Sequence, residues 1–352
     1  MALTKSQEST WQKARSMGAG AQGITLTDEA CSYLVARIAL DLDLRRDFPE
    51  IPPTLPQVLG LSDPKTLVLP DLNSLGMFER LVRLDPDADM YFACLASLHR
   101  ARLKYQSILE TQPIPTLEQV GPRALLQYGR ISTAGLTGLL FWRKWFFDLD
   151  NRAGQETGYL FEPVIANAIG GVPVPAKKSP IKRGGLPNNG GRQVDCLRNK
   201  RAYEIKLRVT IAASGQGRWR EEMDFPIDCH KSGYVPVLVV LDSTPNQKLE
   251  ELEARFLAYH GDVYKGAAAW QHLEALAGPT MSRFLETYVK EPLDQLTKHA
   301  PEQLPPFAAS MDGGSISLSV GTESLVIPRG AGSEELEDVD EMPEDVVDEF
   351  PG

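Results

Sequence analysis

The chain has 352 residues, 42% of them hydrophobic and 24% charged, with a formal net charge of −10. These proportions are typical of a globular protein with one or two cores and argue against a disordered or fibrous chain. Because there is neither a signal-peptide pattern nor an apolar run of about 18 residues, we expect a cytoplasmic protein with no membrane span.

Residues 1–150 are predicted to form a mainly helical N-terminal region. Thr27 suits a helix N-cap, and apolar side chains recur at helical spacing over residues 31–42. Asp85, followed by a proline, is a typical cap for a second helix. The strongly apolar stretch 125–148 predicts a core helix, with a dimer interface as the alternative.

A more informative pattern predicts a β-hairpin. Apolar and polar side chains alternate over residues 203–211, as they do in a half-buried strand. The turn residues 198–200 would fold this strand back, placing Asp195 beside Glu204. Glu204 and Lys206 share one face of the strand because side chains alternate along it. Two carboxylates suit Mg²⁺ and a lysine can polarise water, which together are the parts for metal-assisted phosphodiester hydrolysis.

The charge around this hairpin is strongly positive. Residues 176–220 contain twelve Lys or Arg and only two acids, Asp195 and Glu204. This predicts a polyanion lying across the site, although a merely basic loop region is the alternative. The four cysteines include no C-x-x-C pair, so neither a zinc site nor a disulfide framework is expected.

Asp195 and the Glu204-Ile205-Lys206 run resemble the PD-(D/E)XK nuclease superfamily, although Val194 stands where the motif name has proline. The run 203–219 is similar to type II restriction endonucleases, and most specifically to the ApaLI-like family. The resemblance covers roughly residues 150–290. It implies an α/β (α+β) fold with a PD-(D/E)XK restriction-endonuclease-like core, in which helices flank a mixed central sheet behind a helical N-terminal region.

The family pattern also assigns the remaining elements of the core. A helix over residues 155–169 should carry a glutamate, a loop and helix should follow the hairpin over 214–231, and a buried strand should cover 234–241. We therefore expect the nuclease core and its C-terminal helices within residues 151–300. A small terminal hairpin is expected within residues 301–330.

Two glutamates compete for the position on the first helix. Glu162 lies in an apolar-Glu-apolar pattern that matches the family helix, and Glu156 is the alternative. Pro163 predicts that the helix begins near Glu162, because proline is tolerated in a first turn. A glutamate there could also simply complement the helix dipole.

The resemblance implies a type II site-specific deoxyribonuclease that cleaves double-stranded DNA with Mg²⁺, which Mn²⁺ could replace. It implies a homodimer acting on a short palindrome. The expected metal ligands are Asp195, Glu204, Glu162 and the Ile205 carbonyl, and Lys206 would position the attacking water. Two alternatives are a repair or recombination nuclease of the same superfamily and a non-catalytic DNA-binding regulator.

DNA contacts are expected from polar and basic residues in two glycine-rich loops flanking the hairpin. Side chains of these types bind phosphates and read base edges. The candidates are Lys178, Lys182, Arg183, Asn188, Asn189, Gln216, Arg218 and Arg220.

Residues 331–352 predict a disordered acidic tail. They contain ten acids and no Lys or Arg, which leaves 37 residues of each sign in the rest of the chain. The tail is either a solvating segment or a DNA mimic that competes for the basic groove.

Overall fold

A computed structural model describes residues 3–15, 24–186, 188–207, 215–242, 244–298 and 303–330. The described chain divides into two compact units. The first contains residues up to Arg100 together with Tyr159–Leu293, and the second contains Ala101–Gly158 together with the segment that follows Asp294. None of the helices in these ranges is long and apolar enough to cross a membrane.

The N-terminal region is helical, as predicted. Its first four helices are α1 (Lys5–Arg15), α2 (Asp28–Asp41), α3 (Ser74–Leu84) and α4 (Ala88–Thr111). Thr27 caps α2 by accepting the Ala30 N–H at 3.2 Å. The Asp85 side chain instead accepts the Asp87 N–H at 3.0 Å, and α4 begins three residues beyond Asp85. The predicted N-cap role of Asp85 is therefore replaced by a turn that leads into the helix.

After the short helix α5 (Leu117–Ala124), one long helix, α6 (Thr133–Ala168), contains Glu162 and Pro163. The prediction that a helix begins near Glu162 is therefore wrong. Proline removes one backbone hydrogen bond, but apolar residues are buried on both sides of it, including Leu149 and Val164. This packing maintains the helix through the proline. The Asn167 side-chain amide donates to the Pro163 carbonyl at 2.7 Å.

The predicted core helix over residues 125–148 is only partly buried. Leu136 and Leu140 are buried in the second unit, but Leu126 is 91% exposed and precedes the helix. Phe147 is 59% exposed on α6 itself. An apolar stretch thus supplies both core and surface residues, because a helix buries only one face.

The first unit contains a mixed five-stranded sheet. Its strands are β1 (Val172–Val174), β2 (Val194–Arg198), β3 (Arg201–Lys206), β4 (Val235–Val240) and β5 (Asp262–Lys265), and they lie side by side in that order. Strand β2 is antiparallel to both β1 and β3, whereas β4 runs parallel to β3 and β5 runs parallel to β4.

Helices connect the parallel strands, because the chain must cross back to the starting end of the sheet before the next parallel strand begins. Helix α7 (Gly215–Lys231) joins β3 to β4, and α8 (Gln247–Ala258) joins β4 to β5. Phe225 on α7 and Phe256 on α8 are buried in one hydrophobic core with residues of the sheet. The hairpin β2–β3 therefore packs against α7 in this core. Helices α9 (Ala267–Leu285) and α10 (Glu291–Lys298) follow β5.

The second unit contains a three-stranded antiparallel sheet of β6 (Phe307–Asp312), β7 (Ser315–Val320) and β8 (Glu323–Pro328). Strands β7 and β8 form an antiparallel hairpin within residues 301–330, where a small terminal hairpin was expected, and β6 adds a third strand. Ile316 and Ile327 are buried together with Trp145 of α6, which explains why this small sheet has a core.

Candidate active site

The hairpin β2–β3 is closed by a two-residue turn, Asn199-Lys200. Both residues have positive φ values, 46° and 64°, which a tight hairpin turn with right-handed strand twist requires. Cys196 pairs with Tyr203 across the hairpin. One position further along, the Asp195 carboxylate accepts the backbone N–H of Ile205 at 2.7 Å. The predicted juxtaposition of Asp195 with the Glu204-Ile205-Lys206 run is therefore present.

Burial alternates along β3, as predicted from the sequence. Tyr203 and Ile205 are buried, whereas the side chains of Glu204 and Lys206 are 20% and 14% exposed. Lys206 Nζ lies 3.2 Å from Glu204 Oε1, so the two side chains occupy the same face of the sheet. The predicted strand beyond Leu207 lies outside the described residues.

Besides Glu204, a second glutamate contacts Lys206, and it was not predicted from the sequence. Glu222 of α7 places its Oε1 atom 3.1 Å from Lys206 Nζ. It precedes the buried residues Phe225 and Cys229 by three and seven positions, which is the spacing of one helix face. This spacing is the signal in the sequence that would have directed Glu222 toward the sheet.

Glu162 is also part of this cluster, whereas Glu156 is not. Burial, reinforced by the negative charge of Glu204, raises the pKa of Glu162 to about 8. Glu156 instead pairs with Lys104, whose Nζ atom lies 2.9 Å from its Oε2 atom. Of the two candidate glutamates, only Glu162 therefore shares the electrostatic environment of the hairpin.

The site has more negative than positive charge, and it is buried. Burial raises the pKa of Asp195 well above its ordinary value, and the charges of Glu162 and Glu204 raise it further. Burial would lower the pKa of Lys206, but the charges of Glu204, Glu222 and Asp195 outweigh it and raise that pKa. Lys206 is thus held as an ammonium among carboxylates that repel one another.

This donor set fits a hard divalent cation. The available ligands are carboxylate and carbonyl oxygens, which Mg²⁺ and Mn²⁺ prefer. A cation would also offset the burial and the repulsion that raise the pKa values of Glu162 and Asp195. Across the described residues, no three Asp, Glu, His or Cys side chains converge as a ready metal-binding group. Asp195 and Glu204 are instead hydrogen-bonded to Ile205 and Lys206.

Several of the predicted DNA-contact residues make contacts within the protein. Lys182 Nζ donates to the Ser179 carbonyl at 2.8 Å, Arg183 pairs with Glu221 at 2.5 Å, and the Asn189 amide donates to the Arg183 carbonyl at 2.7 Å. The side chains of Lys182, Arg183 and Asn189 therefore stabilise the loop that contains them. The exposed candidates include Lys178, Asn188 and Arg220, and the side chains of Gln216 and Arg218 lie outside the described residues.

The glycine-rich loop before the hairpin is closed at its base. Lys182 and Gly191 form an isolated β-bridge, and a Cβ atom at Gly191 would lie 1.9 Å from the Ala176 carbonyl oxygen. Arg192 and Asp228 then form a buried ion pair, with Nε and Oδ2 2.6 Å apart. Asp228 also accepts the Gly184 N–H at 2.7 Å. The loop is thereby attached to α7, a connection that the sequence did not predict.

Comparison with known proteins gives two matches. The family model of the ApaLI-like restriction endonucleases matches residues 70–290. The chain is also 41% identical over 324 residues to the type II restriction enzyme ApaLI of Acetobacter pasteurianus, covering 84% of this chain and 86% of that protein. No solved structure matches.

Both matches are to restriction endonucleases, the class of enzyme that the resemblance of the sequence implied. Within that class, the chain belongs to the ApaLI-like restriction endonuclease family. The resemblance to the ApaLI-like family is therefore confirmed, as is the prediction of a type II site-specific deoxyribonuclease. The match begins about 80 residues earlier than the predicted start near residue 150, so it includes most of the helical region from α3 onward.

Proposed function

We propose that this chain cleaves double-stranded DNA at a specific short sequence by Mg²⁺-dependent phosphodiester hydrolysis. The observation that supports this most directly is the buried cluster of Glu162, Asp195, Glu204 and Lys206, found in a chain of the ApaLI-like family. A repair nuclease and a non-catalytic regulator are less consistent with that family. A cytoplasmic location belongs to the same proposal.

The proposed core is of the PD-(D/E)XK type and lies within residues 151–300. An antiparallel hairpin followed by a helix and a parallel strand supports this assignment. So does the position of the helix glutamate, Glu162, on the element that precedes β1. Within residues 301–330, the proposed C-terminal element is the small sheet that contains β7.

The proposed metal ligands are Asp195, Glu204, Glu162 and the Ile205 carbonyl. When bound, Mg²⁺ or Mn²⁺ would supply the Lewis acidity that makes water a nucleophile near neutral pH and offsets charge on the phosphate. The Asp195 carboxylate is oriented by the Ile205 N–H at 2.7 Å, so this ligand is held in place by its own hairpin.

Lys206 is proposed to act as a hydrogen-bond donor and as a positive charge. Two of its three N–H bonds are directed to Glu204 and Glu222, which leaves one for the attacking water or a phosphate oxygen. Its raised pKa keeps it protonated, so it would orient the water and stabilise the transition state. It would not remove the proton of that water.

DNA binding is proposed to use basic and amide side chains of the loops that flank the hairpin in the sequence, namely Lys178, Lys182, Arg183, Asn188, Asn189, Gln216, Arg218 and Arg220. If Lys178 contacts a phosphate, Lys178→Ala should weaken binding of cognate and scrambled duplexes equally. The salt dependence of affinity should fall by about one unit. Fluorescence anisotropy at several salt concentrations measures both quantities, with Lys5→Ala on α1 as the control. An unchanged salt dependence would remove Lys178 from the interface.

Homodimerisation is part of the proposal, and the second unit supplies the supporting observation. It exposes several large apolar side chains, among them Leu125, Leu126, Phe147 and Leu325. Exposed apolar patches commonly mark protein interfaces. Sedimentation equilibrium should give a dimer, and Leu126→Asp should weaken it if this surface is used. A wild-type monomer at micromolar concentration would contradict the proposal.

Digestion of a plasmid of known sequence with Mg²⁺ tests the proposed activity. We expect discrete fragments whose ends share one short sequence, and no cleavage when EDTA replaces Mg²⁺. Random fragments would favour the repair nuclease, and specific binding without cleavage would favour the regulator.

A further inference from the structure

Lys206 lies between two carboxylates that belong to different elements. Its Nζ atom is 3.2 Å from Glu204 Oε1 on β3 and 3.1 Å from Glu222 Oε1 on α7. All three side chains are at least four-fifths buried. We propose that Glu222 is a positioning residue that holds the Lys206 ammonium in place for the reaction, an inference that rests on the proposed nuclease function.

The helix that carries Glu222 is firmly attached to the segment that carries Asp195. Arg192, three residues before Asp195, forms its buried ion pair with Asp228 of α7. Arg192 also donates to the Glu221 carbonyl at 3.0 Å. Phe225 and Cys229 of α7 are buried in the same core as Val194. Glu222 is therefore presented from a fixed helix, which reduces the entropy cost of aiming a side chain.

These contacts connect β2, β3 and α7 around the site. Asp195 of β2 accepts the N–H of Ile205 of β3, and the neighbouring Lys206 contacts Glu222 of α7. The Arg192–Asp228 pair then connects α7 to the residues just before β2. A displacement of Lys206 would break its contact with either the strand or the helix. We assign Glu222 a positioning role because it takes part in these buried contacts, which a surface ion pair would not do.

The second carboxylate has a specific use once Glu204 binds a cation. A divalent cation bound by Glu204 would repel the nearby ammonium of Lys206. It would also offset the negative charge of Glu204 and so weaken the attraction between Glu204 and Lys206. A lysine held by Glu204 alone would then lose its anchor. Glu222 is not among the proposed metal ligands, so its contact with the lysine at 3.1 Å would remain when the cation is bound.

Glu222→Gln tests this role, because glutamine preserves shape and hydrogen bonding but removes the charge. Glu251→Gln, an exposed residue of α8, is the matched control. Single-turnover cleavage at saturating Mg²⁺ should fall by about 10–100-fold for Glu222→Gln, as for other residues that orient a metal site. The melting temperature and the affinity for DNA without metal should match those of the control.

Mn²⁺ binding measured by calorimetry separates positioning from ligation. We expect the Mn²⁺ affinity of Glu222→Gln to stay within about threefold of the wild type, because Glu222 is not a proposed ligand and every proposed ligand remains. A larger loss of affinity, with cleavage restored by excess metal, would make Glu222 a ligand and overturn the proposal. A fall in DNA affinity as large as the fall in rate would show a structural role and would overturn it too.

A double-mutant cycle with Lys206→Met completes the test. If Glu222 acts through the lysine, adding Glu222→Gln to Lys206→Met should change the residual rate by less than about twofold. If Lys206→Met itself cleaves normally, the proposed function of Lys206 fails. If Lys206→Met is inactive but Glu222→Gln is normal, only the role of Glu222 fails.

Discussion

At the scale of single residues, the Asp195 carboxyl group is ordered by one hydrogen bond, whereas its surroundings oppose its ionisation. The Ile205 N–H lies 2.7 Å from its carboxylate, while burial and two neighbouring glutamates raise its pKa. A binding-site carboxylate can persist in such surroundings if a cation neutralises it, which is consistent with the proposed role as a metal ligand.

Asp195→Ala should therefore abolish cleavage but leave DNA binding intact. Loss of a proposed metal ligand would remove several kcal/mol of transition-state stabilisation, which is about a thousandfold in rate. Affinity for DNA without metal should be unchanged or tighter, since any negative charge on Asp195 would repel the phosphates. Single-turnover cleavage and a binding isotherm check this prediction. A variant with near-normal turnover in Mg²⁺ would exclude Asp195 from the site.

The Arg192–Asp228 pair should contribute strongly to stability when only one partner is removed. Their side chains are 8% and 4% exposed, so Asp228→Ala leaves a buried guanidinium without its charge partner. We expect a loss of about 3–5 kcal/mol in the free energy of unfolding by urea.

The exposed pair of Arg201 with Asp262 provides the control for that experiment. Each of its side chains is 38% exposed, so Asp262→Ala should cost less than about 1 kcal/mol. Equal losses for Asp228→Ala and Asp262→Ala would mean that burial does not distinguish the two pairs.

At the scale of elements, the loop between Lys182 and Gly191 owes its shape to backbone contacts as well as to glycine. Lys182 N donates to the Ser232 hydroxyl at 3.1 Å, and the Arg183 N–H donates to the Gly190 carbonyl at 3.1 Å. The loop is thereby tied both to itself and to the end of α7. Its basic side chains are held near the hairpin because of these ties.

Gly191→Ala should distort this loop, since its Cβ atom would lie 1.9 Å from a backbone oxygen. We expect a loss of about 1–3 kcal/mol in the free energy of unfolding, as for other overpacked positions. Gly190→Ala is the matched control, because no atom lies within 4 Å of its added Cβ. Chemical denaturation of both variants checks the prediction. A Gly191 variant as stable as the Gly190 variant would contradict the observed packing.

Helix α6 shows how an element can differ from its local signals. The conformational preferences of Pro163 predict that a helix starts there, yet the observed helix runs from Thr133 to Ala168. Residues on both sides of the proline are buried, and the sequence does not reveal that they are buried by one continuous helix. Helix α8 (Gln247–Ala258), in contrast, agrees with its local signals, because its apolar residues recur at helical spacing and the Asn246 side chain caps its N-terminus.

At the scale of the whole molecule, the charge is distributed very unevenly along the chain. The net charge of −10 equals the ten acids of residues 331–352, which lie outside the described residues. The remainder is neutral, but the segment around the hairpin carries twelve basic residues. An acidic segment in the same molecule can compete with DNA phosphates for such a surface.

Deleting residues 331–352 should leave the melting temperature unchanged and tighten non-specific DNA binding at low salt. The difference from the full chain should diminish as salt is raised, because screening weakens both interactions. Titration of a scrambled duplex at two salt concentrations measures the effect. An unchanged affinity at low salt would leave only a solvating role for the segment, and unfolding on deletion would make it structural.

The amino-acid sequence was sufficient to locate the hairpin, Asp195, Glu204, Lys206 and the family. The hairpin and its side chains depend on strand alternation and turn residues, which act between neighbours in the chain. The family followed from the resemblance of the motif that these residues form. The tertiary structure added the contact of Glu222 with Lys206 and the Arg192–Asp228 pair, and it separated Glu162 from the alternative, Glu156. Those depend on which faces of α6 and α7 pack near β3, a long-range arrangement set by the burial of the whole core and not by local sequence.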